Sequence, residues 1–414
     1  VPISRIVAVV IAVGLLIGCA RPDATQHVAR PAAPTPIAAA PSAPPWNAGD
    51  VRALQTKLRT IFHDPTLASS GLAVVDAAAR PLFEQRAGRP YAPASTFKVL
   101  AAISALETYG PNYRFTTEIR ALDPPSDGTI ASDVWLIGSG DPTLSSADLQ
   151  AAAGVLARAG VQRIDGALVA DASAFGGSEI NKAWDPDDLQ YDYAAGTSAL
   201  AIDEGTVEFH LVPAATGLPA RIETRPPSDG VRVLGSVLTS YATTLTIDRA
   251  PDKNDFVFGG HIAAGAEQSF FRPVVDMPVY AGRVAQSFLR ARGIVVRDGV
   301  RTGVAPLGGT VLWRHESPPL RDIVRHMLFV SDNHYAEQLL RAVGAQRGIG
   351  TETTGGAVER AIFRRDGVPQ NGLRIVDGSG LASSDRVAAI SLATLLARAA
   401  AEPIGRALIT DLPR

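Results

Sequence analysis

The chain runs Ser95-Thr96-Phe97-Lys98 where a helix is expected to begin. Residues three apart on a helix share a face, so the serine hydroxyl and the lysine amine can touch. A serine hydroxyl is a weak nucleophile until a base takes its proton. A lysine can be that base once burial lowers its pKa toward neutrality. Amides at the start of the same helix would help stabilise a tetrahedral oxyanion beside the serine. The bland alternative is a solvated lysine on an exposed helix face. Against it, Ser-x-x-Lys occurs once in the chain, and Val99-Leu100-Ala101-Ala102-Ile103 follows directly. Lysine is also scarce, with Lys57, Lys98, Lys182 and Lys253 the only four among 39 basic residues.

A second group, Ser331-Asp332-Asn333, lies 233 residues beyond Lys98 and is the single Ser-x-Asn in the chain. Taken alone it reads equally well as a helix cap. Other hydrolytic chemistries lack their landmarks. There is no Gly-x-Ser-x-Gly elbow for a Ser-His-Asp hydrolase. The seven histidines form no His-Glu-x-x-His, so zinc proteolysis is unsupported. His334, next to the second group, could tune a site there but is as readily an ordinary core or surface residue.

These groups need elements to hold them. Residues 51–62 carry apolar positions at helical spacing, and 71–76 with 81–85 read as a hairpin across a small-residue turn. Pro93 should open a helix carrying Ser95 and Lys98, closed by Gly110 and Pro111. Residues 115–269 read as short strands and turns punctuated by Gly, Pro and Asp. Helices follow over 274–292, over 320–345 with a break near Ser331, and over 388–401. The expected fold class is mixed α/β with a mostly β region inserted.

Ser-x-x-Lys followed by Ser-Asp-Asn resembles the active-serine β-lactamases and penicillin-binding proteins. Four further stretches make the chain similar to one branch, the D-alanyl-D-alanine carboxypeptidase/endopeptidase family (peptidase S13, low-molecular-mass class C). They are Gly138-Ser139-Gly140-Asp141-Pro142-Thr143-Leu144, Ser317-Pro318-Pro319-Leu320, Ala336-Glu337-Gln338-Leu339-Leu340-Arg341 and Asp377-Gly378-Ser379-Gly380-Leu381. The resemblance implies a β-lactamase/transpeptidase-like domain, helices around an antiparallel sheet, split as 49–114 and 270–414 around an insert at 115–269. It implies Ser95 as nucleophile, Lys98 as base, Ser331 as proton shuttle and Asn333 as a holder of the substrate peptide. The implied partners are peptidoglycan peptides and β-lactam antibiotics, with no metal or cofactor. A β-lactamase is disfavoured by the long insert and by the lack of a Glu-x-x-Asn between Lys98 and Ser331.

The family's third motif, Lys-Thr-Gly, does not follow Ser331 in this sequence. Arg301-Thr302-Gly303 mimics it but precedes Ser331 and is read as a decoy. The expectation is a fragment or truncated reading frame, with the strand near 71–76 left as an unpaired edge. The competing function is a catalytically impaired peptidoglycan-binding lipoprotein.

Composition adds limits. Hydrophobic content of 46%, charged content of 19% and a net charge of −2 fit a folded domain and give no basic footprint for nucleic acid. The single cysteine, Cys19, excludes an intramolecular disulfide framework. It ends Leu16-Ile17-Gly18-Cys19 after a basic residue and a short apolar run, which resembles a bacterial lipobox. Residues 1–18 then read as a lipoprotein signal peptide and Cys19 as the lipidated residue of an extracytoplasmic membrane anchor. Residues 19–48, rich in Pro and Ala, read as a tether reaching roughly 80 Å if extended.

Overall fold

A computed structural model describes residues 8–12, 46–265, 267–402, 405 and 408. Cys19 and the tether lie outside them. The fold is mixed α/β. Contacts divide the chain into two compact units, one of residues 1–92, 366–373 and 386–406, the other of 93–365, 374–385 and 407–414. Among the described residues no helix is long and apolar enough to cross a membrane.

In the first unit, Asn47 caps the helix Ala48–Ile61 by accepting from the Gly49 and Asp50 amides. That helix lays Leu54, with Val51 and Leu58, on Leu72, Val74, Leu82 and Phe83 of the hairpin. The hairpin strands Gly71–Val75 and Pro81–Gln85 are antiparallel, as their alternation across a small-residue turn leads one to expect. Asp76 closes the turn by accepting from the Ala78 and Arg80 amides, both at 2.9 Å. The outer edge of Gly71–Val75, expected to be open, is paired instead. Ala8–Ala12, within the stretch read as a signal peptide, runs antiparallel along it and takes up its free backbone groups in the unprocessed chain.

The second unit is larger. Its main sheet has the strand order 300–302, 168–171, 134–137, 116–121, 310–316, parallel over the first three strands and antiparallel over the last three. The helices Ser146–Arg158 and Met277–Ala291 share its core with Ile119, Leu136, Leu168, Leu149, Leu156 and Val284. Smaller sheets follow between 206 and 273. A separate set of helices, Lys98–Tyr109, Leu320–Val330, Asn333–Ala345 and Glu352–Arg365, carries the motifs.

Two expectations need correction here. The stretch 115–269 is not purely strands and turns, because Ser145 and Asp148 form a capping box that starts the 13-residue helix Ser146–Arg158. Nor does its core stop at 269, since residues through Glu316 pair with the main sheet and Met277–Ala291 packs within it.

The smaller sheets extend the same apolar core. Phe209, fully buried, meets Phe256 and Phe258 edge-on at 4.7 and 4.9 Å. Phe209→Ala should cost about 3–5 kcal/mol of unfolding free energy. A urea midpoint unchanged from the parent would show that this cluster holds nothing together.

Candidate active site

Ser95 does not sit within a regular α-helix. Ala94–Phe97 form a 3-10 turn, and the α-helix begins at Lys98. Pro93 limits the entering backbone, Ala94 takes a left-handed φ of 47°, and Thr96 Oγ1 donates to the Pro93 carbonyl at 2.6 Å. The tighter turn projects Ser95 into solvent while Lys98 is drawn inside, only 1% exposed. The helix behind it is buried on every side over its first two turns, with Leu100, Ala101, Ala102, Ile103 and Ala105 all inside, so there is no wet face near Lys98 for its amine to escape to.

Lys98 Nζ donates to Ser95 Oγ at 2.9 Å and to the Ser379 carbonyl at 3.2 Å. Burial lowers the Lys98 pKa to about 8, against the opposing pull of Asp332, Glu337 and Asp377. An amine so poised is neutral in a substantial fraction near neutral pH and can take the serine proton.

Ser331 ends the helix Leu320–Val330 in a left-handed conformation, φ 61°, and its amide bonds the Met327 carbonyl. Asp332 then caps the helix Asn333–Ala345 by accepting from the Tyr335 amide at 3.0 Å. The capping reading is thus met by Asp332, and the helix break it closes places Ser331 and Asn333 on either side of the cap. Asn333 Nδ2 donates to the Tyr193 carbonyl at 2.8 Å. Among the described residues no hydrogen bond joins Ser331 to Ser95 or Lys98. The turn is nonetheless near enough for the Asp332 charge to act on Lys98.

His334 is a core histidine. Its Nδ1 donates to the Gly196 carbonyl at 3.0 Å, its Nε2 accepts from Gln338 at 3.2 Å, and burial lowers its pKa. Arg301 lies on the strand Val300–Thr302 in the main sheet and pairs with Asp133, which fits its reading as a decoy. Among the described residues, metal-ligating atoms gather at Glu204, His326 and Asp332, within 4.8 Å of one another. Desolvation of the Glu204 carboxyl, then the nearby Asp332 charge, raises its pKa to about 8.

Sequence reasoning gave the 377–381 stretch no role, and it missed Tyr193. The stretch supplies the carbonyl that seats Lys98, and its two glycines are required by close approach. A Cβ on Gly378 would fall 2.5 Å from the Ala336 carbonyl oxygen, and one on Gly380, at φ 79°, 2.0 Å from that of Ala94. The glycine spacing was the available signal.

A buried base of this kind makes acylation pH-dependent. With Lys98 as the expected base, the neutral amine is the active form, and the rate at which Ser95 reacts with a fluorescent penicillin should climb with pH through about 8. A rate that is flat from about pH 6 to 9 would remove Lys98 as the base.

The chain is similar to several known proteins. The chain is 32% identical over 397 residues to a D-alanyl-D-alanine carboxypeptidase of Actinomadura sp. (strain R39), spanning 92% of this chain and 74% of the relative. It is 26% identical over 314 residues to the D-alanyl-D-alanine carboxypeptidase DacB of Haemophilus influenzae, spanning 73% and 65%. The crystal structure of penicillin binding protein 4 (dacB) from H. influenzae superposes with a TM-score of 0.72 at 24% identity, covering 81% of this chain and 75% of that one, and so shares the fold. The same protein complexed with a β-lactam superposes at 0.62 with 22% identity, covering 78% and 72%. The model of the D-Ala-D-Ala carboxypeptidase 3 (S13) family matches residues 54–413, and over that extent the chain belongs to this family of hydrolases.

Proposed function

We propose that this D-Ala-D-Ala carboxypeptidase/endopeptidase works through an acyl-enzyme on Ser95, with stem peptides of peptidoglycan as substrate. The observation that carries the reading is the 2.9 Å contact between a buried, partly neutral lysine amine and an exposed serine hydroxyl. Ser95 Oγ attacks the carbonyl carbon of the penultimate D-Ala, and its proton passes to Lys98 Nζ. The peptide C–N bond breaks, and the departing amine takes a proton delivered through Ser331. The leaving group is free D-Ala in the carboxypeptidase reaction or the cross-linked partner in the endopeptidase reaction. Asn333, fixed by the Tyr193 carbonyl, holds the substrate peptide in register. Water then attacks the Ser95 ester, Lys98 takes its proton and returns it to Ser95 Oγ as the ester C–O bond breaks, and the shortened stem leaves. A β-lactam mimics the first step and forms a slowly hydrolysed ester on the same oxygen.

In full-length protein, fluorescent penicillin should label Ser95 covalently, and Ser95→Ala should abolish the label with circular dichroism unchanged. Lys98→Ala should slow acylation about 10²- to 10⁴-fold, the usual share of base catalysis. A label that survives Ser95→Ala moves the nucleophile elsewhere.

The lipobox reading gives the enzyme a place. Cys19, acylated at the outer face of the membrane, would hold the catalytic units on a tether within reach of the wall. Cys19→Ala should shift the protein from membrane to soluble fractions and abolish incorporation of radiolabelled palmitate. Parent protein that carries no lipid would sink the anchor.

A further inference from the structure

We propose that Asp377 is the positioning residue for Lys98: it folds the 377–382 turn whose Ser379 carbonyl seats the amine, and it does so from the centre of a group of four buried acids. The inference rests on the reading of Lys98 as base and goes beyond it.

Asp377 is fully buried. One of its oxygens accepts from the Ser379 and Gly380 amides at 3.1 and 2.6 Å. The other accepts from Trp184 Nε1 at 2.9 Å and from the Ala382 amide at 2.6 Å. Four donors engage both oxygens, an arrangement that only the carboxylate form can accept without a proton facing an N–H. The same donors tie residues 377–382 into one turn, which also touches Lys98 through the Ser379 carbonyl.

The three neighbouring acids are differently placed. Glu337, on the helix Asn333–Ala345, takes the Gly378 and Ser379 amides on one oxygen, both at 2.9 Å. Burial, then the Asp377 charge, lifts its pKa well above the carboxylate range. Asp385 accepts from the Val376 amide at 2.7 Å, and burial with the adjoining Asp377 raises it to about 9. Glu359, on the helix Glu352–Arg365, has no hydrogen-bond partner on either oxygen. Burial and Asp377 raise it to about 8, with Arg360 acting weakly the other way. Asp385 and Glu359 hold a proton near neutral pH, and Glu337 is pushed in the same direction. Ionising several acids in so dry a place is unfavourable. The acids that face Lys98 are Asp332 on the solvent side, then Glu337 and Asp377.

Asp377 thus has two separable effects. Its hydrogen bonds place the carbonyl that orients Lys98, and its charge favours the protonated amine, so it sets the pH at which the base becomes available. The acylation profile of full-length protein tests this, with fluorescent penicillin as the probe. In Asp377→Asn/Asp385→Asn, where the charge cannot move to the adjoining acid, the half-rise should move toward acid by about half a pH unit or more. That is about a threefold gain relative to the plateau at pH well below the midpoint. Asp385→Asn alone replaces one neutral group by another and should leave the half-rise in place. An unmoved half-rise in the double variant overturns the proposal. So does an acid-ward shift in Asp385→Asn alone, which assigns the charge elsewhere, and that arm decides even if the double variant does not fold. Persistence of labelling in Ser95→Ala would instead sink the nucleophile reading, so the two failures are distinguishable.

Discussion

An ammonium group kept out of water is unfavourable, and the catalytic unit is built around one. Lys98 is held inside by a helix with no wet face over its first two turns, and its amine finds the Ser95 hydroxyl and the Ser379 carbonyl in place of solvent. Each partner constrains the chain behind it. Ser95 must stay on a tight 3-10 turn, which Pro93 and a left-handed Ala94 enforce. Ser379 must stay on a turn that packs directly on Ala94, which only glycine at 380 permits. Seating one amine therefore specifies two backbone conformations far apart in sequence.

The larger unit also shows how a long insertion can serve a site without supplying its nucleophile. The segment around residues 193–198 leaves the inserted region to meet the helix Asn333–Ala345, where Tyr193, Gly196 and Ser198 offer carbonyls to Asn333, His334 and Gln338. Arg341, on the same helix, reaches the Gly176 and Ser178 carbonyls and pairs with Glu352. Backbone oxygens of the insert thus fix the orientation of the helix that starts at the Ser-Asp-Asn break. The third of its motif stretches, residues 336–341, is in effect the docking face for the insert.

Much of the site was legible because its spacing is local. A separation of three from Ser95 to Lys98 suffices for contact on any helical turn, and a Ser-Asp-Asn between two amphipathic runs announces a break with a cap. What escaped depended on distant pairing. The strand Thr310–Glu316 joins Thr116–Ala121 across the whole insert, so no local pattern marked where that region's core ended. The helix Ser146–Arg158 was missed because its sequence is rich in alanine, includes Gly154 and has Asp148 in place of the Glu or Gln that usually signals a capping box. The tasks of residues 377–381 were hidden for the same reason as the strand, since their glycines answer to Ala336 and Ala94 rather than to neighbours in sequence.

Trp184 gives this arrangement an optical handle. Its indole is buried, and its Nε1–H is bound to the carboxylate of Asp377. Indole emission is sensitive to the field of a nearby charge, and the other three tryptophans, Trp46, Trp135 and Trp313, lie elsewhere in the fold. The protein therefore carries, next to its reactive lysine, a built-in chromophore through which the electrostatics of that region can be read without a label.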